Sequence, residues 1–131
     1  VLAGHSAGGH LALLAGGEIK QLKGVLRLAA MTDIAEYAAG TNSCQEVTKD
    51  FMQGMPKDKP SDYHMANPMK QPVHVNTIIL HGDKDIVVPA LKLDKLERKV
   101  IMLKGVGHYD WIHKGSAAFR ILNQQVNGLA K

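Results

Sequence analysis

Three side chains able to carry out nucleophilic catalysis occur in the order Ser6, Asp85 and His108. A free serine hydroxyl is a weak nucleophile, so it needs a base that accepts its proton and a carboxylate that orients that base. The three residues are far apart in the sequence. If they act together, separate loops of the folded chain must bring them to one place.

Ser6 occupies the centre of a G-x-S-x-G pattern, since residues 4–8 read Gly-His-Ser-Ala-Gly. The pattern lies between an apolar stretch, residues 1–3, and a helix predicted over residues 10–15, which Gly16 and Gly17 would end. We expect a strained strand-to-helix turn in which a side chain at either flanking glycine would collide with backbone. The N–H of Ala7 would then face a developing oxyanion. The alternative is a structural serine in a glycine-rich turn.

Two carboxylates compete for the role of the orienting acid. Asp83 and Asp85 both follow the apolar segment 77–80. Asp83 comes directly after Gly82, which favours a role in capping or bending the loop. Asp85 lies deeper in the loop, from which a carboxylate can reach a neighbouring strand end. We therefore favour Asp85, although both could be ordinary turn residues.

His108 is the candidate base among seven histidines. It follows the predicted strand 99–103 in a loop that contains two glycines. We expect His5 to point away from the nucleophile and His81 to pack beneath the acid loop. The alternative interpretation is that a pair of histidines binds a metal, but no H-x-x-x-H or H-E-x-x-H spacing supports it. We expect neither metal nor cofactor, because the three residues supply their own nucleophile and base.

The elements that must position these residues alternate between strand and helix. Apolar strands are predicted at 25–30, 77–80 and 99–103, and an amphipathic helix at 116–129. Continuously apolar strands are typical of a parallel sheet covered on both faces, so the fold class is α/β. Residues 33–70 are polar and contain three prolines. We interpret them as a cap that passes over one end of the sheet.

Size and composition are those of one globular domain spanning residues 1–131, with 45% hydrophobic residues and a net charge of +4. The stretch Lys92–Lys99 mixes acidic with basic residues, which predicts a solvated face rather than a nucleic-acid surface. A single cysteine, Cys44, excludes an intrachain disulfide and fits a reducing, cytoplasmic compartment. No run approaches the ~18 apolar residues of a membrane span.

At its three motifs the sequence resembles the α/β-hydrolase family, especially the small carboxylesterases of the BD-FAE and kynurenine formamidase-like type in its esterase and lipase branch. The matching stretches are residues 4–12, 60–68, 81–89 and 105–112. The resemblance implies a Ser-Asp-His chain order, with Asp85 at the acid position of the H-G-x-x-D-x-x-V-P pattern. It also implies hydrolysis of small carboxylic esters through an acyl-enzyme. The alternatives are amide cleavage, by a peptidase or an arylformamidase, and a non-catalytic hydrolase-like remnant.

The sequence departs from the resemblance in two ways. In the family a His-Gly-Gly loop upstream of the nucleophile turn supplies a second oxyanion donor, whereas this chain begins at the turn. We therefore expect the C-terminal portion of such a domain, with weak or no activity as an isolated chain. The first strand would be an exposed edge through which copies of the chain could associate. The segment between Pro89 and Lys99 is also short for the family.

Overall fold

The fold is built on one parallel sheet. The computed structural model describes residues 1–91 and 93–131, so Lys92, part of the predicted mixed-charge face, lies outside the described residues. Within that part of the chain the strands are β1 (Leu2–His5), β2 (Val25–Leu28), β3 (Thr77–Gly82) and β4 (Lys99–Leu103). They pair in the order β1-β2-β3-β4, every pair parallel. The predicted α/β class with a mainly parallel sheet is confirmed.

The remaining described elements are helices that connect or cover the strands. They are α1 (Ala7–Glu18), α2 (Ile34–Ala38), α3 (Ser43–Phe51), α4 (Pro60–Met65), α5 (Ala117–Ala130) and the 3₁₀ helices Pro68–Lys70, Leu93–Leu96 and Asp110–Ile112. None of these helices is both long enough and apolar enough to cross a membrane.

Helix α1 continues through the two glycines that were predicted to end it. A Cβ atom at Gly16 would lie 2.5 Å from a methyl carbon of Val25, and one at Gly17 would lie 2.0 Å from the carbonyl oxygen of Pro72. The prediction was wrong because these glycines allow the helix to pack closely against the sheet and the following loop. They do not break the helix.

Both faces of the sheet are covered, which explains why β2 and β3 are buried along their length. On one face, apolar residues of β2 and β3 pack against Trp111 and the apolar stripe of α5. On the other face, Ile79 packs with Leu13 of α1 and with the 3₁₀ helix Leu93–Leu96. Ala118, near the start of α5, is buried in the cluster on the first face, whereas Ala117 is exposed.

Residues 33–70 contain α2, α3 and α4 and have a small apolar cluster of their own, formed by Ile34, Ala38 and Tyr63. Two side chains tie this segment to the loop after β3. The Tyr37 hydroxyl and the Asn42 side-chain amide each donate to the carbonyl oxygen of Val87, both at 3.0 Å. The segment therefore lies beside the loop that carries Asp85.

Parallel pairing places the carboxyl ends of all four strands at one edge of the sheet. Ser6 follows β1, Asp85 follows β3 and His108 follows β4, so all three candidate residues lie in loops at that edge. Open α/β sheets bind their ligands at this edge. Strand β1 is an edge strand among the described residues, and self-association through it stays a prediction.

Candidate active site

Ser6 lies in a strained turn between β1 and α1. Its φ and ψ are 55° and −123°, a backbone region that residues with a side chain rarely adopt. Such a conformation costs about 1–3 kcal/mol and persists only where the surroundings enforce it. Here the N–H of Ser6 donates to the carbonyl of Leu28, 2.9 Å away, and the Ser6 carbonyl accepts from the N–H of His10, 3.1 Å away. The predicted strand-to-helix turn is confirmed.

The predicted collision of a side chain with backbone occurs at only one of the two glycines that flank Ser6. A Cβ atom at Gly4 would lie 2.0 Å from the carbonyl oxygen of Gly8, so the prediction for Gly4 is confirmed. A Cβ atom at Gly8 would meet nothing within 4 Å, so the prediction for Gly8 was wrong. The second close approach occurs at Gly9, whose Cβ would lie 2.7 Å from that of Ala30 and 2.8 Å from the Gly4 carbonyl oxygen.

We expect Gly4→Ala and Gly8→Ala to have opposite effects on stability. The added methyl at Gly4 meets backbone that cannot move aside, so the loss should be at least about 3 kcal/mol, the upper end for overpacking. At Gly8 the methyl has room, and alanine favours the helix by about 0.5–1 kcal/mol. Urea unfolding of both variants measures the difference. A Gly4→Ala variant as stable as the native protein would contradict this description of the turn.

His108 lies between the other two candidates. Its Nδ1 is 2.8 Å from Asp85 Oδ2, and its Nε2 is 3.1 Å from Ser6 Oγ. An ionised carboxylate can only accept, so Nδ1 carries the proton and donates to Asp85. The neutral ring then has its lone pair on Nε2, which accepts from the Ser6 hydroxyl. A base in this state is ready to take the proton of the serine.

Asp85 is fixed by backbone donors as well as by His108. Its Oδ1 accepts from the N–H groups of Val87 and Val88, at 3.0 and 2.8 Å. Burial by itself raises the pKa of Asp85, but the hydrogen bonds from His108 and Val88 and the nearby imidazoles outweigh it, so the net shift of the pKa is downward. The buried carboxyl group is therefore ionised at neutral pH.

Asp83 was expected to cap or bend its own loop, and the structure shows it bonded to a different loop. Its Oδ1 accepts from the N–H of Gly105 at 2.6 Å, which joins the loop after β3 to the loop after β4. The Asp83 side chain is exposed, whereas Asp85 is buried. The structure thus places Asp85, and not Asp83, within hydrogen-bond distance of His108.

The expectation that His5 points away from Ser6 and its partners was wrong. Its Nε2 is 2.8 Å from the carbonyl oxygen of His108, and the centroids of the two rings are 4.7 Å apart. The ring of Tyr109 stands edge-on to His108, with a centroid distance of 4.9 Å. Sequence reasoning missed both neighbours. For His5 the only signal was its position next to Ser6.

A second buried pair lies behind Asp85. His81 is fully buried and its Nε2 is 2.9 Å from the carbonyl oxygen of Val88, which confirms that it packs beneath the acid loop. Arg27, on β2, is also fully buried, and one of its guanidinium nitrogens lies 3.0 Å from His81 Nδ1. Sequence reasoning missed Arg27. The available signal was a single charged residue within an otherwise apolar strand.

The remaining predicted site residue is Ala7, the first residue of α1. The first N–H groups of a helix have no intrahelical acceptor and point out of its positive end. The Ala7 N–H is thus adjacent to Ser6 and able to donate to a negatively charged oxygen. Among the described residues, no group of three His, Cys, Asp or Glu side chains has an arrangement that could hold a metal ion.

Comparisons with known proteins identify a family that the chain matches. The profile of the prolyl oligopeptidase family, Peptidase_S9, matches residues 1–124. A search of curated protein sequences finds no match.

Three similar solved structures show the range of related enzymes. A puromycin hydrolase is 24% identical with a TM-score of 0.68, over 81% of this chain and 18% of that one. An acylaminoacyl peptidase of Pyrococcus horikoshii is 16% identical with a TM-score of 0.69, over 92% of this chain and 21% of that one. A truncated carbohydrate esterase from gut microbiota is 19% identical with a TM-score of 0.71, over 97% of this chain and 58% of that one.

This chain therefore spans between 18% and 58% of the length of these proteins. Their folds, together with the family match, confirm the predicted superfamily. The sequence motifs resembled those of small carboxylesterases, whereas the family that matches is the prolyl oligopeptidase family. The family match over residues 1–124 and the shared fold show that the chain belongs to the prolyl oligopeptidase family of the α/β-hydrolase superfamily.

Proposed function

We propose that the protein carrying this chain is a serine hydrolase that cleaves carboxylic esters through an acyl-enzyme. Ser6 is the nucleophile, His108 the general base and acid, and Asp85 the residue that orients His108. The observation that carries the proposal is the continuous hydrogen-bonded path from Asp85 through His108 to Ser6, with distances of 2.8 and 3.1 Å.

The first half of the reaction forms the acyl-enzyme. Ser6 Oγ attacks the carbonyl carbon of the ester while His108 Nε2 takes the hydroxyl proton. The ionised Asp85 stabilises the imidazolium that forms. The carbonyl oxygen becomes an oxyanion beside the Ala7 N–H. The tetrahedral intermediate then collapses, and the departing alkoxide takes the proton from His108 Nε2.

The second half returns the enzyme to its starting state. His108 Nε2 takes a proton from water, whose oxygen attacks the acyl carbon. The second tetrahedral intermediate expels Ser6 Oγ, which recovers its proton from His108. The products are a carboxylic acid and an alcohol.

Amide cleavage by the same residues is the second candidate, favoured by membership of a family named after a peptidase. An amine leaves only after it has been protonated, and His108 Nε2 is positioned to supply that proton in either reaction. Ester and amide cleavage therefore require the same triad. Contacts to the leaving group distinguish them.

The surroundings of the triad suggest how substrates would be selected. We propose that residues 33–70 act as a cap over the substrate, since Tyr37 and Asn42 hold this segment beside the acid loop. Ile86, in the acid loop, is 84% exposed, and Tyr109, next to His108, is 65% exposed. These apolar surfaces favour an acyl or leaving group with hydrocarbon or aromatic character.

A fluorophosphonate probe tests the nucleophile directly. We expect the folded protein carrying this chain to be labelled on Ser6, as located by peptide mass spectrometry, because only an activated hydroxyl displaces fluoride from the probe. Ser116 is the internal control, since its hydroxyl caps α5 by accepting from the Phe119 N–H and should stay unlabelled. Denatured protein should not react. Absence of label on Ser6 in the folded protein would overturn the proposal.

A pair of substrates that share one acyl group decides between ester and amide. The aryl ester and the aryl amide of the same N-acylated amino acid differ only in the leaving group. We expect the ester to have the higher kcat/KM. If kcat/KM for the amide comes within about tenfold of the ester, corresponding to less than about 1.4 kcal/mol of activation free energy, peptidase activity is favoured.

A further inference from the structure

Arg27 is a buried cation behind the triad. It lies on β2 and is fully buried. One terminal nitrogen donates to His81 Nδ1 at 3.0 Å and the other to the Thr32 hydroxyl at 3.2 Å, while Nε has no hydrogen-bond partner among the described residues. Burial lowers the pKa of Arg27 to about 9, and the nearby Asp85 opposes that shift. The guanidinium is therefore still charged at neutral pH.

The contact with Arg27 determines which nitrogen of His81 carries the proton. A guanidinium group only donates, so His81 Nδ1 must accept and the proton must be on Nε2. Nε2 donates to the Val88 carbonyl at 2.9 Å and lies 3.7 Å from Asp85 Oδ2. Burial and, to a smaller extent, the positive charge of Arg27 lower the pKa of His81 to about 4, so the ring is neutral at pH 7.

We propose that Arg27 is a positioning residue of the triad, acting through His81 to hold the acid loop and the Asp85 carboxylate in place. The proposal rests on the proposed function of Ser6, Asp85 and His108. Arg27 fixes the orientation of His81, and His81 fixes the carbonyl of Val88, whose own N–H donates to Asp85. The positive charge of Arg27 also balances Asp85 in a region that water does not reach.

A purely stabilising function explains Arg27 less well. Taking a guanidinium out of water is costly, and replacing a whole buried ion pair with apolar side chains of similar size often leaves stability unchanged or raises it. Val25, on the same face of β2, and Ile79, paired with Arg27 on β3, are both apolar and fully buried, so an apolar residue would suit this position. From this position the arginine reaches His81 beneath the acid loop.

The test uses Arg27→Met in the protein carrying this chain, with Arg98→Met as the matched control. Arg98 donates to the backbone carbonyls of Glu97 and His74 and lies at the start of β4, at the opposite edge of the sheet from the triad. We expect kcat for the ester to fall by on the order of 10²-fold in Arg27→Met, the effect of a misplacement of about 1 Å, with KM nearly unchanged. Arg98→Met should retain native kcat.

A second measurement does not depend on turnover. The proton between His108 Nδ1 and Asp85 Oδ2 should give a proton NMR signal downfield of the amide region in the native protein. We expect this signal to shift or broaden in Arg27→Met and to be unchanged in Arg98→Met. Arg27→Met should melt at a lower temperature than the native protein, because the buried Asp85 carboxylate then lacks its balancing charge. The kcat and the NMR signal are therefore measured well below the melting transition of the variant.

A histidine pair keeps the test decisive if Arg27→Met does not fold. His81→Leu removes the link and should lower kcat as Arg27→Met does. His81→Gln retains an acceptor and a donor and should recover part of the loss. Native kcat and an unchanged NMR signal in folded Arg27→Met, or in folded His81→Leu, would overturn the proposal. Absence of Ser6 labelling in the native protein would instead overturn the proposed function, and the NMR signal would still test the positioning.

Discussion

His108→Gln should lower kcat for ester hydrolysis by on the order of 10⁶-fold in the protein carrying this chain. Loss of a catalytic base removes the activation of the nucleophile altogether, and the remaining acceleration comes from binding and oxyanion stabilisation. Glutamine retains much of the bulk and polarity of the imidazole but does not take up a proton. Single-turnover kinetics with an activated aryl ester would measure the effect. Fluorophosphonate labelling of Ser6 should disappear in parallel.

The matched control for His108 is His64→Gln. His64 is exposed on α4 and distant in sequence from every residue assigned to the triad. We expect this variant to retain native kcat and labelling. If His108→Gln keeps more than about 1% of native kcat while remaining folded, the assigned base is wrong, because no base-deficient triad retains that much.

Asp85→Asn is expected to reduce kcat by about 10⁴-fold. An asparagine amide can donate to Nδ1 of His108, which would place the imidazole proton on Nε2 and leave Ser6 without an acceptor. The geometry of the site would be largely kept, so KM should change little. The pH dependence of kcat, measured with the same aryl ester used for His108→Gln, gives the readout.

Asp83→Asn is the matched control, since the same chemical change is made two residues away. The Asp83 side chain accepts from the Gly105 N–H, and an asparagine oxygen can accept the same bond. Replacing a charged acceptor with a neutral one changes the free energy of an exposed hydrogen bond by less than about 1 kcal/mol. We therefore expect kcat to stay within about threefold of native. A larger loss in Asp83→Asn than in Asp85→Asn would reverse the assignment of the acid.

The ionisation of Asp85 should make the stability of the fold depend on pH in a defined direction. Because the pKa of Asp85 is lower in the folded chain than in the unfolded chain, its ionised form stabilises the fold at pH values above the unfolded pKa. That contribution disappears as the pH falls through the folded pKa. In Asp85→Asn this part of the acid sensitivity should be missing, which urea unfolding between pH 3 and pH 7 would show.

The hydrogen-bonded arrangement of Ser6, Asp85 and His108 was predictable because its signals are local and parallel pairing makes them converge. Each candidate follows an apolar segment, and such segments become neighbouring strands whose carboxyl ends share one edge. The choice between Asp83 and Asp85 was also accessible, because distance from the strand end determines which carboxylate reaches across to the next loop. The fold class follows from the same apolar segments.

Other features depend on contacts that sequence spacing does not encode. Gly8 and Gly9 are adjacent and chemically identical, and only their directions in α1 decide that Gly9 approaches backbone while Gly8 faces open space. Arg27 lies in a segment whose neighbours are apolar, and its partner His81 is 54 residues away. Tertiary packing alone makes that pair. The extension of α1 past Gly16 has the same origin.

The loops at the carboxyl ends of the strands are joined to one another by hydrogen bonds. His108 is bonded to the β1 end twice, by its carbonyl to His5 and by its ring to Ser6. The loop after β4 is bonded three times to the loop after β3, through Asp85, through Asp83 and through the Lys84 N–H, which donates to the Val106 carbonyl at 3.0 Å. Moving any one of these loops outward therefore breaks at least two bonds at once, so hydrogen exchange across this edge should occur in one concerted event rather than loop by loop.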